Sequence, residues 1–255
     1  MKTKFVVSIV SHGHYDLIAS NEGLKKIRLL SDVKIIIKDN LGQTQLAIFC
    51  DENQIDYLGK NNTKGFGENN NEIYRYLIRN EIIESDGWFL LINPDVFIEI
   101  DYFNMLTSYL LQTVNHFYVP NLFKQHTYDE YDNSLRYFPK PHDVVSGFLM
   151  KPINKPYQKD SLEDGAIIDW ASGAFLCIRS SKFKLIGGFD ERYFMYFEDV
   201  DLCKRLKQKD IDLRFLKSIK AVHIGQHANR QLFSKHFFWY LRSLLLFLFS
   251  GSKDQ

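Results

Sequence analysis

Apolar runs and amphipathic stretches alternate through the first hundred residues. Phe5–Val10 is a short run rich in β-branched residues. Val33–Ile37 is a second, ending at Lys38-Asp39-Asn40, and Trp88–Ile92 is a third, ending at Asn93-Pro94-Asp95. Runs of this length and composition predict strands buried on both faces. Leu17–Leu30 carries a predicted helix between the first two strands. Gly65-Phe66-Gly67 reads as a turn, and Glu68–Ile83 as a helix with Ile73, Leu77 and Ile78 along one face. Such alternation predicts parallel strands joined by crossover helices, an α/β fold of the nucleotide-binding type.

The second half is less periodic. Tyr102–Leu111 predicts a helix, Phe117–Pro120 a strand, Asp199–Gln208 a helix and Ala221–Ile224 a last short strand, with order returning at Ile168–Ile178. Residues 124–166 are polar, aromatic and proline-bearing. That is long for a plain connection and predicts a functional loop region. No internal repeat or low-complexity linker divides the chain, so one domain is expected over residues 1–230, with a C-terminal appendage over 231–255. Phe237–Phe249, FFWYLRSLLLFLF, is apolar apart from Arg242 and Ser243. It is shorter than the roughly 20 residues a membrane-spanning helix needs. With Lys235, His236, Arg242 and Lys253 it fits an interfacial helix along 235–249. A helix packed on the domain or in a homodimer contact accounts for the same pattern.

Composition narrows the classes. The 255 residues carry 32 Lys and Arg against 31 Asp and Glu, which leaves no electrostatic footprint for nucleic acid. The aromatic content, 21 Phe and 14 Tyr, serves core packing and can also stack on sugar rings. Cys50, Cys177 and Cys203 are far apart and fit neither a zinc spacing nor a disulfide framework, so a reduced, cytoplasmic setting is expected. The opening MKTKFVVSIVSHGHYD reads as a first strand rather than a signal peptide.

Ligands of parallel sheets bind at the carboxyl ends of the strands. Asp39 and Asp95 fall there. Carboxylates beside a nucleotide diphosphate make sense if a cation lies between, or if they bind ribose or base. Magnesium and manganese use few protein oxygens and take the rest from phosphate and water. Asn93-Pro94-Asp95 also has the composition of an ordinary turn. The run Gly187–Leu202, GGFDERYFMYFEDVDL, interleaves aromatics with five carboxylates. A helix start accounts for one capping Asp and one acidic neighbour, but not for Glu198, Asp199 and Asp201 together behind Tyr-Phe-Met-Tyr-Phe. An ionised carboxylate at such a helix start can act as a base.

GGFDERYFMYFEDVDLCKRL closely resembles the signature of family 2 glycosyltransferases with the GT-A fold, in particular the rhamnosyltransferase-like branch. VSIVSHGH, KGFGENNN, LLINPDVFI, DWASGAFLCIRSSKF and VHIGQH resemble further segments of that branch in the same order and carry the resemblance over residues 5–227. It implies an α/β GT-A fold with a mostly parallel central sheet flanked by helices. It also implies an inverting transfer from a nucleotide-diphosphate sugar, dTDP- or UDP-linked, to a hydroxyl of a growing bacterial-type polysaccharide such as O-antigen or of a lipid-linked glycan. A rhamnose-like deoxyhexose is the expected sugar.

The resemblance assigns Asp199 as base with Glu198 beside it. Ser11, His12, Asp39, Gly65, Asn70, Asn93, Asp95, Trp170 and Gly173 would meet the donor. Asp169, Ser172 and Asp201 would meet the acceptor. Asp95 and His223 would hold Mg2+ or Mn2+. Two positions depart from the pattern: Asn93 stands where the metal motif has its first Asp, and KDNLGQ follows the second strand in place of an acidic-serine turn. A catalytically silent sugar-nucleotide-binding module and a UDP-hexose transferase are the alternatives. A nucleotidyltransferase would need a glycine- and lysine-rich phosphate loop, which SHGHYD is not.

Overall fold

The computed structural model describes residues 2–59, 63–139, 155–225 and 235–250. Residues 140–154 of the expected functional loop, His227 and Lys253 lie outside them. Four parallel neighbours form the N-terminal half of one sheet, in the order β3 (Asp56–Gly59), β2 (Val33–Asp39), β1 (Thr3–Ser11) and β4 (Ile83–Ile92). The order runs outward from β1 and then reverses to β4, so a crevice opens between the carboxyl ends of β1 and β4. Beyond β4 the sheet continues through β10 (Phe175–Arg179), β6 (Phe117–Phe123), β11 (Leu213–His223) and β5 (Val96–Phe97), with β8 (Ile167–Ile168) also on β11. Here β10 is antiparallel to β4 and β6, while β6 and β11 are parallel. The sheet is thus parallel in its nucleotide-side half and mixed in the other. β7 (Leu135–Arg136) and β9 (Trp170–Ala171) form a separate ribbon.

Helices cover both faces, which explains why the strands read as continuous apolar runs. Alternate residues of β1 and β4 enter opposite cores. Val6, Phe89 and Leu91 pack with α4 (Phe66–Arg79), α6 (Ser180–Leu185), α7 (Glu198–Lys207) and α8 (Lys235–Ser250). Phe5, Val7 and Leu90 pack with α1 (Tyr15–Ser20), α2 (Glu22–Ile27), α3 (Thr44–Glu52) and α5 (Ile100–Gln112).

The expected helix over Leu17–Leu30 is two helices. Asn21 adopts an extended conformation, and its Oδ1 accepts from Leu24 N at 3.0 Å, a capping geometry that starts a new helix. The strand from Phe117 runs past Pro120 to Phe123. The missing proline N–H is accommodated because the β6–β11 register shifts between Leu216 and Lys220, beside Pro120. The strand expected at Ala221–Ile224 is the end of the eleven-residue β11. The three cysteines are buried and unbridged.

Candidate active site

Ser11, Asp39 and Asn93 end or follow three adjacent parallel strands. Ser11 and Asp39 are register partners, and Asn40 N donates to Ser11 O at 2.9 Å. Asp39 is buried. It accepts from Leu41 N at 2.9 Å, from Gln43 N and from the Tyr57 hydroxyl at 3.0 Å, so it organises the loop after β2. Asn40 completes that loop by exchanging hydrogen bonds with the Lys64 backbone, at 2.8 and 3.1 Å. Ser11 Oγ accepts from His14 N, and His14 Nδ1 accepts from His12 N at 2.8 Å. This chain of bonds folds the His12–His14 loop over the strand end. His12 is exposed. His14 is held below the ordinary imidazole range, first by burial, with the charge of nearby Asp95 pulling the other way.

β5 positions the second group. Val96 and Phe97 pair antiparallel with His223 and Val222, and Ile224 N donates to Asp95 O at 3.1 Å. This hairpin-like contact brings Asp95 Oδ1 to 3.5 Å from His223 Nε2. His223 Nδ1 lies 3.2 Å from Asp132 Oδ2. Burial alone would depress the imidazole, but hydrogen bonds to Asp132 and Asp95 outweigh it and raise His223 to about 9. Behind Asp132, Lys159 is buried. Its ammonium donates to Leu122 O at 2.9 Å and Ser134 Oγ at 3.3 Å, and burial pushes it down to about 8 against the Asp132 charge.

The donor set fits a hard divalent ion that shares its ligands with a diphosphate. One carboxylate and one imidazole nitrogen face each other, and the other imidazole nitrogen is held by a carboxylate, an arrangement that orients metal-binding histidines. Among the described residues no three His, Cys, Asp or Glu side chains are grouped to hold a metal by themselves. Magnesium and manganese do not need such a cage, because phosphate and water complete their shell.

The third group is the start of α7. Tyr196 and Phe197 have φ of 68° and 66°, two successive bulky residues in the left-handed region. Each costs of order 1–3 kcal/mol and persists only where its surroundings fix it. The turn they make presents Glu198 and Asp199 at the positive end of the helix. Asp199 Oδ1 accepts from Val200 N at 2.8 Å and Oδ2 from Gly173 N at 3.2 Å, leaving lone pairs on both oxygens. Burial raises Asp199 above the usual carboxylate range, although these N–H groups and the Arg136 charge draw it down. Glu198 is raised further, by burial and then by Asp199, and its Oε2 is buried without a hydrogen-bond partner among the described residues. Two such neighbours titrate as a unit.

The first and third groups meet through the backbone. Asn93 N donates to Ala174 O at 2.8 Å, and the next residue back, Gly173, holds Asp199. Gly173 is close-packed: an added Cβ would stand 2.8 Å from the Phe66 ring. At Gly65 an added Cβ would meet the Phe194 carbonyl at 2.1 Å, so the glycine turn before α4 lies directly against the chain leading into Glu198.

Other expected site residues have partners inside the fold. Asn70 is buried between Ser8 Oγ at 2.7 Å and Phe66 O at 3.0 Å. Trp170 Nε1 donates to Tyr137 O at 2.9 Å. Asp169 accepts from Phe138 N at 3.1 Å and is ion-paired at 3.0 Å to Lys207, two turns along α7 from Asp199. Asp201 pairs with Arg205 at 2.7 Å. Two positions on from Asp199, it lies on the other side of the helix. Ser172 N donates to Ser134 O at 2.9 Å, and its hydroxyl is buried without a partner among the described residues. Asp132, Arg136 and Lys159 were not expected. They sit in the aperiodic 124–166 stretch, where no sequence period marks them.

No protein-family profile matches the chain. It is 32% identical over 244 residues to the rhamnosyltransferase WbbL of Escherichia coli K12, covering 95% of this chain and 91% of that one. Over 109 residues it is 35% identical to an N-acetylglucosaminyl-diphospho-decaprenol L-rhamnosyltransferase of Mycobacterium tuberculosis, covering 42% of this chain and 36% of that protein. Among solved structures, a Pyrobaculum calidifontis mannosyltransferase in complex with GDP-Man and Mn2+ superposes with a TM-score of 0.61 at 8% identity, covering all of this chain and 66% of that one. That last match speaks to the fold alone, and the fold is GT-A. With a relative of this identity matched over almost the whole length of both chains, the protein belongs to the rhamnosyltransferase-like family 2 glycosyltransferases and is a sugar-transferring enzyme.

Proposed function

We propose that this glycosyltransferase moves an L-rhamnose-like deoxyhexose, with inversion, from a dTDP-sugar to a hydroxyl of a lipid-linked glycan. The observation that carries the reading is Asp199, a carboxylate raised by burial, held by the Gly173 N–H beside the carboxyl ends of β1 and β4. In this reading Asp39, Asn40 and Ser11 shape the nucleoside end of the crevice. Asp199 accepts the proton of the acceptor hydroxyl as its oxygen attacks the anomeric carbon, a contribution of about 10²–10⁴ in rate. Asp95 and His223 would hold Mg2+ or Mn2+, which when bound neutralises the departing diphosphate. The sugar and the lipid-linked acceptor are suggested by the two rhamnosyltransferase relatives.

The departure at Asn93 favours one alternative, a silent binding module. A UDP-hexose transferase would differ in the nucleoside that the Asp39–Asn40 loop accepts and in the sugar that the crevice holds. The test is product analysis by mass spectrometry with dTDP-L-rhamnose, UDP-GlcNAc and GDP-Man, each with Mn2+ and with EDTA, on a GlcNAc-diphospholipid acceptor. Deoxyhexose addition from dTDP-L-rhamnose, abolished by EDTA, is expected. Addition from UDP-GlcNAc alone would overturn the donor reading. Binding of a nucleotide sugar with no transfer would favour the silent module.

A further inference from the structure

α8 has a purpose visible in its packing. Tyr240, Ser243, Leu244 and Phe247 recur at i, i+3, i+4 and i+7, one face of a helix. Ser243, Leu244 and Phe247 are buried, at 4%, 5% and 6% exposure. Their face lies on the chain that leads into Glu198. Ring centroids stand 4.9 Å apart for Phe194 and Trp239, 5.9 Å for Tyr196 and Tyr240, 5.5 Å for Phe197 and Tyr240, and 5.5 Å for Phe197 and Phe247. Ser243 Oγ donates to the Met195 carbonyl at 2.8 Å. Lys204, on α7, places its ammonium 4.8 Å from the centre of the Phe247 ring. α8 thus packs on both the turn and α7.

The contacts converge on the strained residues. Tyr196 and Phe197 adopt conformations that glycine would take without cost, yet the sequence has large aromatic rings there. Rings in such positions are useful if their packing holds the backbone where it would not otherwise stay. α7 has no side-chain cap at its start; at the helix entry Phe197 offers its carbonyl, which accepts from Asp201 N at 2.9 Å, and its ring packing. A relaxation of φ at Phe197 would swing Glu198 and Asp199 away from Gly173.

We infer that α8 is a positioning element of the catalytic turn: Tyr240, Ser243 and Phe247 clamp Tyr196 and Phe197 in the left-handed conformation that aims Asp199 at the crevice. The inference rests on the reading of Asp199 as the base. It assigns the C-terminal segment a part in catalysis that needs no membrane and no second subunit.

The experiment uses the full chain, dTDP-L-rhamnose and Mn2+, and a short-tailed soluble GlcNAc-diphospholipid. Phe247→Ala, Phe247→Leu and Ser243→Ala are measured in the parent and in an Asp199→Asn background. Phe247→Ala should cut kcat by about 10-fold or more, since small misplacements of a reacting group are costly, with the donor KM within about twofold. Phe247→Leu should restore most of the rate. In the Asp199→Asn background the same change should cost less than about twofold, because groups acting through one residue are not additive. Leu245→Ser, on the exposed face, should leave kcat unchanged. Unchanged kcat in Phe247→Ala, or an equal loss with and without Asp199, would overturn the inference. If Phe247→Ala does not fold, Ser243→Ala, which removes one hydrogen bond and no volume of note, is read by the same criteria. Wild-type turnover in Asp199→Asn would sink the base reading instead, and would show in the single variant.

Discussion

Asp95, His223 and Asp132 form a line in which each member fixes the next. A neutral imidazole presents one nitrogen as donor and one as acceptor, and the hydrogen bond at one end decides the other. Between the two carboxylates the ring is held as an imidazolium that donates from both nitrogens; a metal bound beside Asp95 would replace the Nε2 proton, and the Asp132 bond at Nδ1 keeps that nitrogen aimed at the crevice. Asp132→Asn should therefore leave the fold intact and weaken Mn2+-dependent nucleotide binding by about 10–100-fold. Calorimetry of dTDP binding with and without Mn2+ reads this directly, and an unchanged metal dependence would remove Asp132 from the role. Asp199→Asn should keep donor binding and lower kcat by about 10²-fold or more. Near-parent turnover would pass the role to Glu198. Because burial raises Asp199 and only its ionised form can take a proton, kcat should fall as pH drops through a value above the ordinary carboxylate range. A profile flat to pH 4 would contradict the buried geometry. The acidic helix start at Glu198–Asp201 was legible in the sequence because aromatic and acidic residues are contiguous there, while the choice of Asp199 as base came from the family resemblance. Asp132 was not, because its partner lies 91 residues away and only tertiary pairing joins them.

At the scale of elements, α4 shows how a helix is tied to the sheet it crosses. Lys38 on β2 is buried, and its ammonium meets Glu72 of α4 at 2.9 Å, with Lys64 on the same carboxylate. Burial would raise Glu72, but hydrogen bonds from Lys38 and Lys64 prevail and lower it to about 2. The folded value is below the unfolded one, so the contribution to stability is full above about pH 4.5 and is lost as pH falls toward 2. Glu72→Gln leaves Lys38 buried and uncompensated and should cost about 3 kcal/mol at neutral pH. The same variant should flatten stability between pH 5 and 3, and urea titrations at several pH values would show whether it does. Periodicity predicted α4 and its buried Ile73 and Leu77, but it put the exposed Ile78 on the same face, read Phe66 and Gly67 as a turn, and ran the helix on to Ile83, where β4 begins. It merged α1 and α2, since Asn21 acts through a cap rather than through a break in hydrophobicity. It also stopped β6 at Pro120, where a bulge in the pairing carries the strand onward.

Across the whole molecule, the parallel half brings its strand ends to one edge, the mixed half sets His223 beside Asp95 and Gly173 beside Asp199, and α8 packs on the turn that leads into Asp199. The alternation of runs made the first half readable. The second half depends on long-range pairing, parallel between β6 and β11 and antiparallel at β10, β8 and β5, whose partners no local period marks. The tail matched three descriptions by composition, and its inner face packs on the domain. Its outer face still presents Phe238, Leu245 and Phe249 at 59%, 45% and 71% exposure. Among the described residues no helix is long and apolar enough to cross a membrane. We propose that the outer face rests on the membrane surface beside a lipid-linked acceptor, with apolar burial supplying most of the affinity and Arg242 adding attraction to anionic lipid. The two faces make separable predictions. Truncation after Ser234 strips the inner face, exposing apolar side chains worth about 1.5–3 kcal/mol each. It should lower thermal stability and slow transfer to soluble and lipid-linked acceptors alike. Phe238→Ser with Phe249→Ser leaves the inner face in place. That variant should keep its melting temperature and its rate on a soluble acceptor, yet fail to sediment with phosphatidylglycerol vesicles and lose rate on the lipid-linked acceptor. An intact protein that stays in the supernatant with such vesicles would leave α8 its inner role alone.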